Sequence, residues 1–348
     1  MPTLVSKYVS CLTGLLFLLW MTFCVVLVCD ILLPILLLIC WLCRAKYITR
    51  RLQSFVLRIW MSHFIFYVER LSGVELVITG DKFVKGESAV VVCNHQSWTD
   101  SLLLYSVARQ VGRHGDVKFF AKNSLAYFPF YGIAAVLVRV CIFITRHMDR
   151  DRKIFHRIFS YLTDASGQWP FWLIIFCEGT RFNLSKREKS QEFAKKHDLP
   201  VLYNVLLPKI GGFSASISSL RENVGACYDI TIGYPSLQGQ VSPSVSDILF
   251  RHQFGRQKWI VHVHQKRIPI QLIGDSEEEM KEFLYKVYKE KDQQLENFKT
   301  TGKFDGPNIP FYKLPVMDLL FCFVCFFGLS LLVLFGLIWS FHFIRTFS

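Results

Sequence analysis

The sequence has few charged residues, and the acidic ones are scarcer than the basic ones. Charged side chains make up 19% of the 348 residues, against about 25% in typical soluble domains. Hydrophobic residues reach 52%, and 40 Lys and Arg stand against 27 Asp and Glu, which gives a formal net charge of +13. A chain this basic usually binds either nucleic acid or an anionic membrane surface.

Further absences exclude a nucleic-acid partner and other classes of protein. No recognisable nucleic-acid-binding module occurs in the chain, so no nucleic-acid partner is expected. No internal repeat or low-complexity tract interrupts the stretch from Ile48 to Pro315, which predicts one compact domain there. Neither Ser97 nor Ser101 lies in a G-x-S-x-G pattern, and this argues against a serine hydrolase.

The cysteines give no sign of a metal site. The two C-x-x-C pairs, Cys40/Cys43 and Cys322/Cys325, lie in or beside apolar runs that offer no polar groups to orient metal ligands. The cysteines of the central region are far apart in sequence, as in reduced cytosolic proteins. We therefore expect neither a metal nor a resident cofactor.

Long apolar runs are the most prominent feature of the chain. From Leu12 to Cys43 the only ionisable side chain other than cysteine is that of Asp30. This run is longer than the ~20 residues of one untilted transmembrane helix and than the ~7–15-residue apolar core of a signal peptide. Asp30 and Pro34 lie near its middle, which suits two short helices in a membrane hairpin. A single tilted span is the alternative.

A second apolar run extends from Val316 to Ile344 and is about one span long. Basic residues flank both runs on their inner sides, among them Arg44 and Lys46 after the first and Lys313 before the second. The positive-inside rule places these flanks, and the chain between them, on the cytosolic face of a membrane. The sequence thus predicts an N-terminal anchor at 1–47, a domain at 48–315 and a C-terminal transmembrane segment at 316–348.

The central region alternates strand and helix patterns. A capping box at Ser276 and Glu279 begins the clearest helical pattern, and 101–111 and 149–162 are further helical patterns. Several of the strand patterns are apolar at successive positions, as in strands buried on both faces. We predict an α/β fold with a mixed sheet and helices on both of its faces. The predicted strands are 74–80, 88–93, 117–122, 141–145, 171–177, 228–234 and 259–264.

The stretch CNHQSWTD places His95 and Asp100 five residues apart after a buried strand. If a helix begins directly after Asn94, regular helix geometry puts the two side chains about 140° apart. They can meet only if His95 lies at the strand-to-helix turn and folds back over the first helical turn. A carboxylate bonded to one imidazole nitrogen raises the basicity of the other, which can then remove a proton from a hydroxyl.

A second polar cluster, Glu178-Gly179-Thr180-Arg181, ends the strand IIFC. Glycine permits close backbone approach to a ligand, and arginine offers a fork that suits phosphate. A turn with a structural Glu–Arg pair is the simpler interpretation. If this strand and the one before His95 are parallel, both clusters line the same crevice.

The two clusters in this order resemble the lysophospholipid and glycerol-phosphate acyltransferase family, whose motifs are NH-x4-D and F-P-E-G-T-R. The resemblance covers roughly Val74 to Pro235. The stretch VLYNVLLPKIGGF, followed by YDITIGYP, resembles the longer eukaryotic branch of lysophosphatidic acid and lysocardiolipin-type enzymes. The segments FFAKNSLAYFPFYG and CIFITR resemble further family blocks. Cys177 departs from the pattern, since the family has proline there.

The resemblance implies site roles. His95 would be the general base and Asp100 the residue that orients it. The acceptor's phosphate would be held by the second cluster, with the oxyanion bound by backbone N–H groups near the helix start. The residues implied in substrate binding are Glu178, Gly179, Thr180, Arg181, Arg146, Lys122 and Lys209.

The resemblance also implies the reaction. The expected activity is transfer of an acyl group from acyl-CoA, as co-substrate, to the free sn-2 hydroxyl of lysophosphatidic acid in the lipid bilayer. The expected location is the endoplasmic reticulum membrane, with other endomembranes or the mitochondrial outer membrane as alternatives. The acceptor could instead be lysophosphatidylinositol, lysocardiolipin or glycerol-3-phosphate. A non-catalytic membrane-shaping or lipid-binding protein is the alternative from a different class.

Overall fold

The β-branched runs of the central region form a single sheet in the computed structural model, which describes residues 4–145, 148–163, 169–235, 242–251 and 259–347. The sheet has eight strands in the order β4-β3-β5-β2-β6-β7-β1-β8. Strands β2 to β6 run parallel to one another, and β7 is antiparallel to β6. The strands are β1 Val74–Gly80, β2 Ala89–Cys93, β3 Val117–Lys122, β4 Cys141–Ile144, β5 Trp172–Ile175, β6 Ala226–Gly233, β7 Trp259–Pro269 and β8 Asn308–Ile309.

The strands thus confirm all seven strand predictions to within a few residues, and a mixed α/β sheet is the fold. The sequence pattern missed β8 because two residues carry no periodic signal. Eleven α-helices accompany the sheet in the described residues. The helices are α1 Leu4–Cys24, α2 Leu33–Leu42, α3 Lys46–Phe66, α4 Thr99–Gln110, α5 Tyr131–Leu137, α6 Met148–Leu162, α7 Leu184–Lys196, α8 Ile210–Leu220, α9 Val245–Phe250, α10 Glu277–Thr301 and α11 Val316–Phe347. The sequence patterns did not indicate α3, α5, α7, α8 and α9.

Each face of the sheet packs against its own set of helices. Alternate residues of β2 show the division, because Val91 belongs to one apolar core while Val90 and Val92 belong to the other. The first core includes residues of α1, α3, α4, α5 and α11, and the second includes residues of α6, α8 and α10. The prediction of helices on both faces is therefore confirmed.

The N-terminal apolar run is one continuous helical stretch in the structure. A π-helical segment, Val25–Leu32, joins α1 directly to α2, so no turn separates two halves of a hairpin. The segment is buried at Val25 and Cys29, and it shares a core with α3 and α11. By length and composition, Val5–Leu42 and Val316–Ser340 are candidate membrane spans. Both candidates therefore also pack against the central domain.

The topology determines where the functional residues can meet. Because β2, β3, β4, β5 and β6 are parallel, their carboxyl ends lie along the same edge of the sheet, here called the catalytic edge. His95 and Glu178 follow β2 and β5, which are neighbours in the sheet. The expected common crevice of the two motifs is thus present.

Candidate active site

His95 and Asp100 meet at the carboxyl end of β2. The imidazole Nδ1 and the carboxylate Oδ2 are 2.9 Å apart, with Asp100 fully buried and His95 partly exposed. The contact forms because α4 begins at Thr99 and not directly after Asn94. His95 therefore lies in the turn before the helix, and it is free to fold back over the first helical turn.

Asp100 is held by four donors. Its Oδ2 also accepts the backbone N–H groups of Gln96 at 2.7 Å and Ser97 at 2.8 Å, and its Oδ1 accepts the Tyr234 hydroxyl at 2.5 Å. These bonds fix the position of the carboxylate. With Asp100 accepting from Nδ1–H, the neutral imidazole carries its free lone pair on Nε2, which is the form that a general base needs.

The side chain of Asn94 joins the end of β2 to β6. Asn94 is fully buried, and its amide donates to the Ile232 carbonyl at 3.0 Å and accepts the Ile232 N–H at 2.8 Å. The Asn94 side chain therefore pairs with the backbone of β6 and does not cap α4. This pairing continues the β2–β6 contact past the end of β2 and holds the His95 turn in place.

Glu178 lies below the catalytic edge rather than on its surface. It is 2% exposed, and its two oxygens accept the N–H groups of His95 at 2.9 Å and Leu206 at 3.1 Å. Burial raises the pKa of Glu178 to about 8, while the two N–H donors lower it. This buried carboxyl joins the β2 and β5 turns to the loop before α8.

Three backbone N–H groups in the turn before α4 already have hydrogen-bond acceptors within the protein. Those of His95, Gln96 and Ser97 donate to the carboxyl groups of Glu178 and Asp100. They therefore position the site's own acids. The expectation that such N–H groups bind an oxyanion does not hold for these three residues.

Gly179 is the point where the chain turns out of β5. Its φ is +68°, a conformation that side chains disfavour. A Cβ at this position would lie 3.2 Å from Cδ of Lys209, so the lysine passes directly over the glycine. The Lys209 N–H donates to the Cys177 carbonyl at 2.7 Å. Lys209 is exposed, and the structure brings it beside the second motif as the sequence suggested.

Thr180 and Arg181 lie at the surface of the same turn. The Arg181 guanidinium lies 5.0 Å from the centre of the Trp98 ring, on the turn after β2. Lys186 on α7 donates to the Thr180 hydroxyl at 2.7 Å and to the Arg181 carbonyl at 3.0 Å. The turn therefore presents a cluster of cations next to His95, and Lys186 is a member that the sequence did not indicate.

Two other predicted cations belong to β3 and β4. Lys122 is the last residue of β3 and is exposed at the catalytic edge, opposite Ile144 of β4. Arg146 lies outside the described residues. Between β3 and His95, the Phe176 ring stacks on the imidazole with a centroid distance of 4.1 Å. This ring restricts the orientation of His95.

Ser97 and Cys177 do not form a nucleophilic pair with His95 in the described residues. The Ser97 hydroxyl donates to the Pro243 carbonyl at 3.0 Å. Cys177 is buried, and burial raises the pKa of its thiol to about 12. Its carbonyl makes the bond to Lys209 that a proline at this position would also make. The departure from the family pattern thus preserves this bond.

Tyr234 is the functional residue that the sequence analysis missed most clearly. It follows β6, and its hydroxyl also lies 3.4 Å from that of Thr99. The tyrosine stands 134 residues from Asp100, so no local spacing joins them. The signal that could have found Tyr234 is a tyrosine directly after a buried strand that borders β2. Using this signal requires the strand order, which only the structure shows.

The fold and the site define an α/β protein with a buried carboxylate, a partly exposed imidazole and a basic rim at one sheet edge. Comparisons with known proteins agree with this class. The family described as Acyltransferase matches residues 75–233, and that described as Acyltransferase C-terminus matches residues 252–324. The chain belongs to the acyltransferase family.

Curated relatives are about a third identical to this chain over the part that aligns. Probable 1-acyl-sn-glycerol-3-phosphate acyltransferase 5 of Arabidopsis thaliana is 30% identical over 74% of this chain and 65% of the relative. 1-acyl-sn-glycerol-3-phosphate acyltransferase delta of Bos taurus is 33% identical over 72% and 64%. Lysocardiolipin acyltransferase 1 of Gallus gallus is 31% identical over 70% and 62%. The chain spans a little under two thirds of the length of these relatives.

Among solved structures, the 1-acyl-sn-glycerophosphate acyltransferase PlsC of Thermotoga maritima matches 80% of this chain and 95% of its own at 16% identity. The TM-score is 0.43, which is too low to add to the description of the fold.

Proposed function

We propose that this protein is a membrane-bound acyltransferase that esterifies the sn-2 hydroxyl of lysophosphatidic acid with the acyl group of acyl-CoA. The observation that carries the proposal is the 2.9 Å contact between His95 and Asp100 at the catalytic edge, next to the cations of the Gly179 turn. The similarity to 1-acyl-sn-glycerol-3-phosphate acyltransferases supports the choice of acceptor.

In this mechanism His95 Nε2 removes the proton of the acceptor hydroxyl as its oxygen attacks the thioester carbonyl. The new C–O bond gives a tetrahedral intermediate, and the C–S bond then breaks. The leaving coenzyme A thiolate takes the proton back from the imidazolium. Asp100 stabilises that imidazolium through Nδ1, so the protein supplies proton transfer and positioning and no acyl-enzyme forms.

The acceptor's phosphate would be bound by the exposed cations of the catalytic edge. Arg181 offers a fork that can hold two phosphate oxygens, while Lys209 and Lys122 offer point charges. Thr180 and the backbone of Gly179 line the same turn. Glu178 has a positioning role in this proposal, because its oxygens already accept two backbone N–H groups.

Both substrates are lipids or carry a lipid chain, so a site attached to a membrane can receive them without extraction into water. The two apolar helical runs and the net charge of +13 support attachment to an anionic membrane surface. We propose the endoplasmic reticulum membrane, with the catalytic edge on the cytosolic side. The basic residues that follow the first run support this orientation.

The test is transfer of labelled oleoyl-CoA to a panel of lysophospholipids by membranes that contain this protein. We expect phosphatidic acid from lysophosphatidic acid. His95→Ala should lower the rate by roughly 100- to 10,000-fold, the usual contribution of a general base. His197→Ala, at the end of α7, is the matched control and should leave the rate unchanged.

Each outcome is informative. Product from lysocardiolipin, lysophosphatidylinositol or glycerol-3-phosphate alone would keep the mechanism and replace the acceptor. A rate that His95→Ala leaves intact would remove the general base from the mechanism. If no acceptor gave product, the alternative of a non-catalytic lipid-binding protein would take the place of this proposal.

A further inference from the structure

The segment between β3 and the end of α5 exposes an unusual amount of apolar surface. Tyr127 is 84% and Phe128 59% exposed, and both lie in a short stretch that contains no charged side chain. Aromatic side chains carry large apolar areas that are normally removed from water. We call this the Tyr127 surface, and it consists of Leu125, Tyr127, Phe128, Phe130, Ile133 and Val136.

The Tyr127 surface is built rigidly. A Cβ at Gly132 would lie 2.3 Å from the Ala126 carbonyl oxygen, so the 3₁₀ turn Asn123–Tyr127 packs closely against the start of α5. The Gly132 N–H donates to the Phe128 carbonyl at 2.8 Å. Phe130 adopts φ +61°, a backbone conformation that costs energy for a bulky residue. The outward direction of these side chains is therefore part of the fold.

The surface is continuous with the N-terminal helix. The Tyr131 hydroxyl lies 2.9 Å from that of Thr22 on α1, and α5 packs against the π-helical segment Val25–Leu32. Leu19 and Phe23, which flank Thr22, are also exposed. The apolar face of α1 and the Tyr127 surface thus form one apolar region.

The surface also borders the catalytic edge. It begins directly after Lys122, the exposed last residue of β3. A cation at the margin of an apolar surface suits the junction between acyl chains and phosphate headgroups. A protein partner would leave the continuity with α1 and this order of charge and apolar groups unexplained.

From these observations we infer that the Tyr127 surface inserts into the acyl layer of the bilayer as a membrane contact in addition to the two apolar helical runs, with Lys122 at the headgroups. The contact places the catalytic edge at the membrane surface, where a lysophospholipid's hydroxyl and phosphate lie. The role given to this contact rests on the proposed function, but the contact itself does not require catalysis.

Photocrosslinking tests the contact directly. p-Benzoylphenylalanine replaces Tyr127 in the full chain, which is reconstituted into phosphatidylcholine vesicles with radiolabelled acyl chains and irradiated without acyl-CoA. We expect label on the protein. The matched control places the same residue at Tyr203, which is 57% exposed and follows α7 in the loop beside α10. Label at position 127 no greater than at 203 would overturn the inference, as would a crosslink to a second copy of the chain.

A second experiment measures what the contact does. The double variant Tyr127→Ser/Phe128→Ser should lower the rate about tenfold with acceptor embedded in vesicles, because less apolar area enters the bilayer. Its rate with a water-soluble short-chain acceptor should stay unchanged. Equal losses with both acceptors would overturn the inference. Absence of any activity in the parent protein would instead count against the proposed function, and the crosslink would still decide the membrane contact.

Discussion

Asp100 illustrates how much one side chain at this site depends on its partners. Its two oxygens accept hydrogen bonds from His95, two backbone N–H groups and Tyr234. The carboxylate is fully buried, so each donor replaces a water molecule that the carboxylate lost on burial. The position of His95 is therefore determined by residues from the turn after β2, from α4 and from the end of β6.

Tyr234→Phe should lower kcat roughly 10- to 100-fold, since a hydrogen bond to a charged group contributes about 1.5–3 kcal/mol. KM for both substrates should change little, because the tyrosine contacts Asp100 rather than the substrate. Steady-state kinetics with the full chain in vesicles measure both constants. A change in KM with kcat intact would mean that Tyr234 binds substrate instead.

Glu178→Gln tests the buried carboxyl. A glutamine amide has one acceptor oxygen, so one of the N–H groups of His95 and Leu206 loses its partner, at a cost of about 1–3 kcal/mol in unfolding free energy. At low pH the native protein should therefore be more stable than Glu178→Gln by this amount. Because burial raises the pKa of Glu178 from 4.5 to about 8, the contribution of the acid is lost as the pH rises through that range.

The measurement is thermal unfolding of both proteins in detergent between pH 5 and pH 9. The gap in stability between native protein and Glu178→Gln should narrow as the pH rises. A gap that widened would mean that the ionised carboxylate, and not the neutral acid, is the form that stabilises the fold.

At the scale of elements, α10 contains a charge within its apolar stripe. Lys291 is fully buried and pairs with Asp229 of β6, with a further bond of 2.6 Å to the Ile230 carbonyl. The helical periodicity of α10 predicted its buried face, where Leu284, Val287 and Tyr288 pack. It could not predict that Lys291 is buried on that face, because the aspartate that makes its burial possible comes from the adjoining strand.

Lys291→Met should destabilise the protein by about 3–5 kcal/mol, because it leaves Asp229 buried without its cation. The double variant Asp229→Leu/Lys291→Met should recover most of that loss. Lys289→Met, an exposed position on the same helix, is the control. Unfolding in detergent measures all three. A single variant as stable as the control would show that Asp229 does not need the lysine.

At the scale of the whole molecule, the terminal helices pack against the central domain. Phe326 of α11 is fully buried and lies 5.4 Å, between ring centres, from His63 of α3. Trp20 of α1 stacks on Phe323 at 5.0 Å. The sequence divides the chain at 47 and 315, but one apolar core extends across both boundaries.

A chain that ends at Pro315 should therefore remain in the membrane through its N-terminal helical run and yet unfold at a lower temperature. The buried side chains of α3 would lose the helix that covers them. A chain that ends at Ser340 is the control, since it keeps Phe326. Carbonate extraction and thermal inactivation measure the two effects. Full stability of the shorter chain would mean that α11 is an anchor only.

The sequence by itself determined the strands, the amphipathic face of α10, the apolar runs and the two motifs, because these depend on local periodicity and on residues close together in the chain. Only the tertiary structure decided the order of the strands, and with it the meeting of Tyr234 with Asp100 and of Glu178 with Leu206. Such contacts join residues far apart in sequence, so no local pattern encodes them. The same reason explains why Asn94 pairs with β6 instead of capping α4.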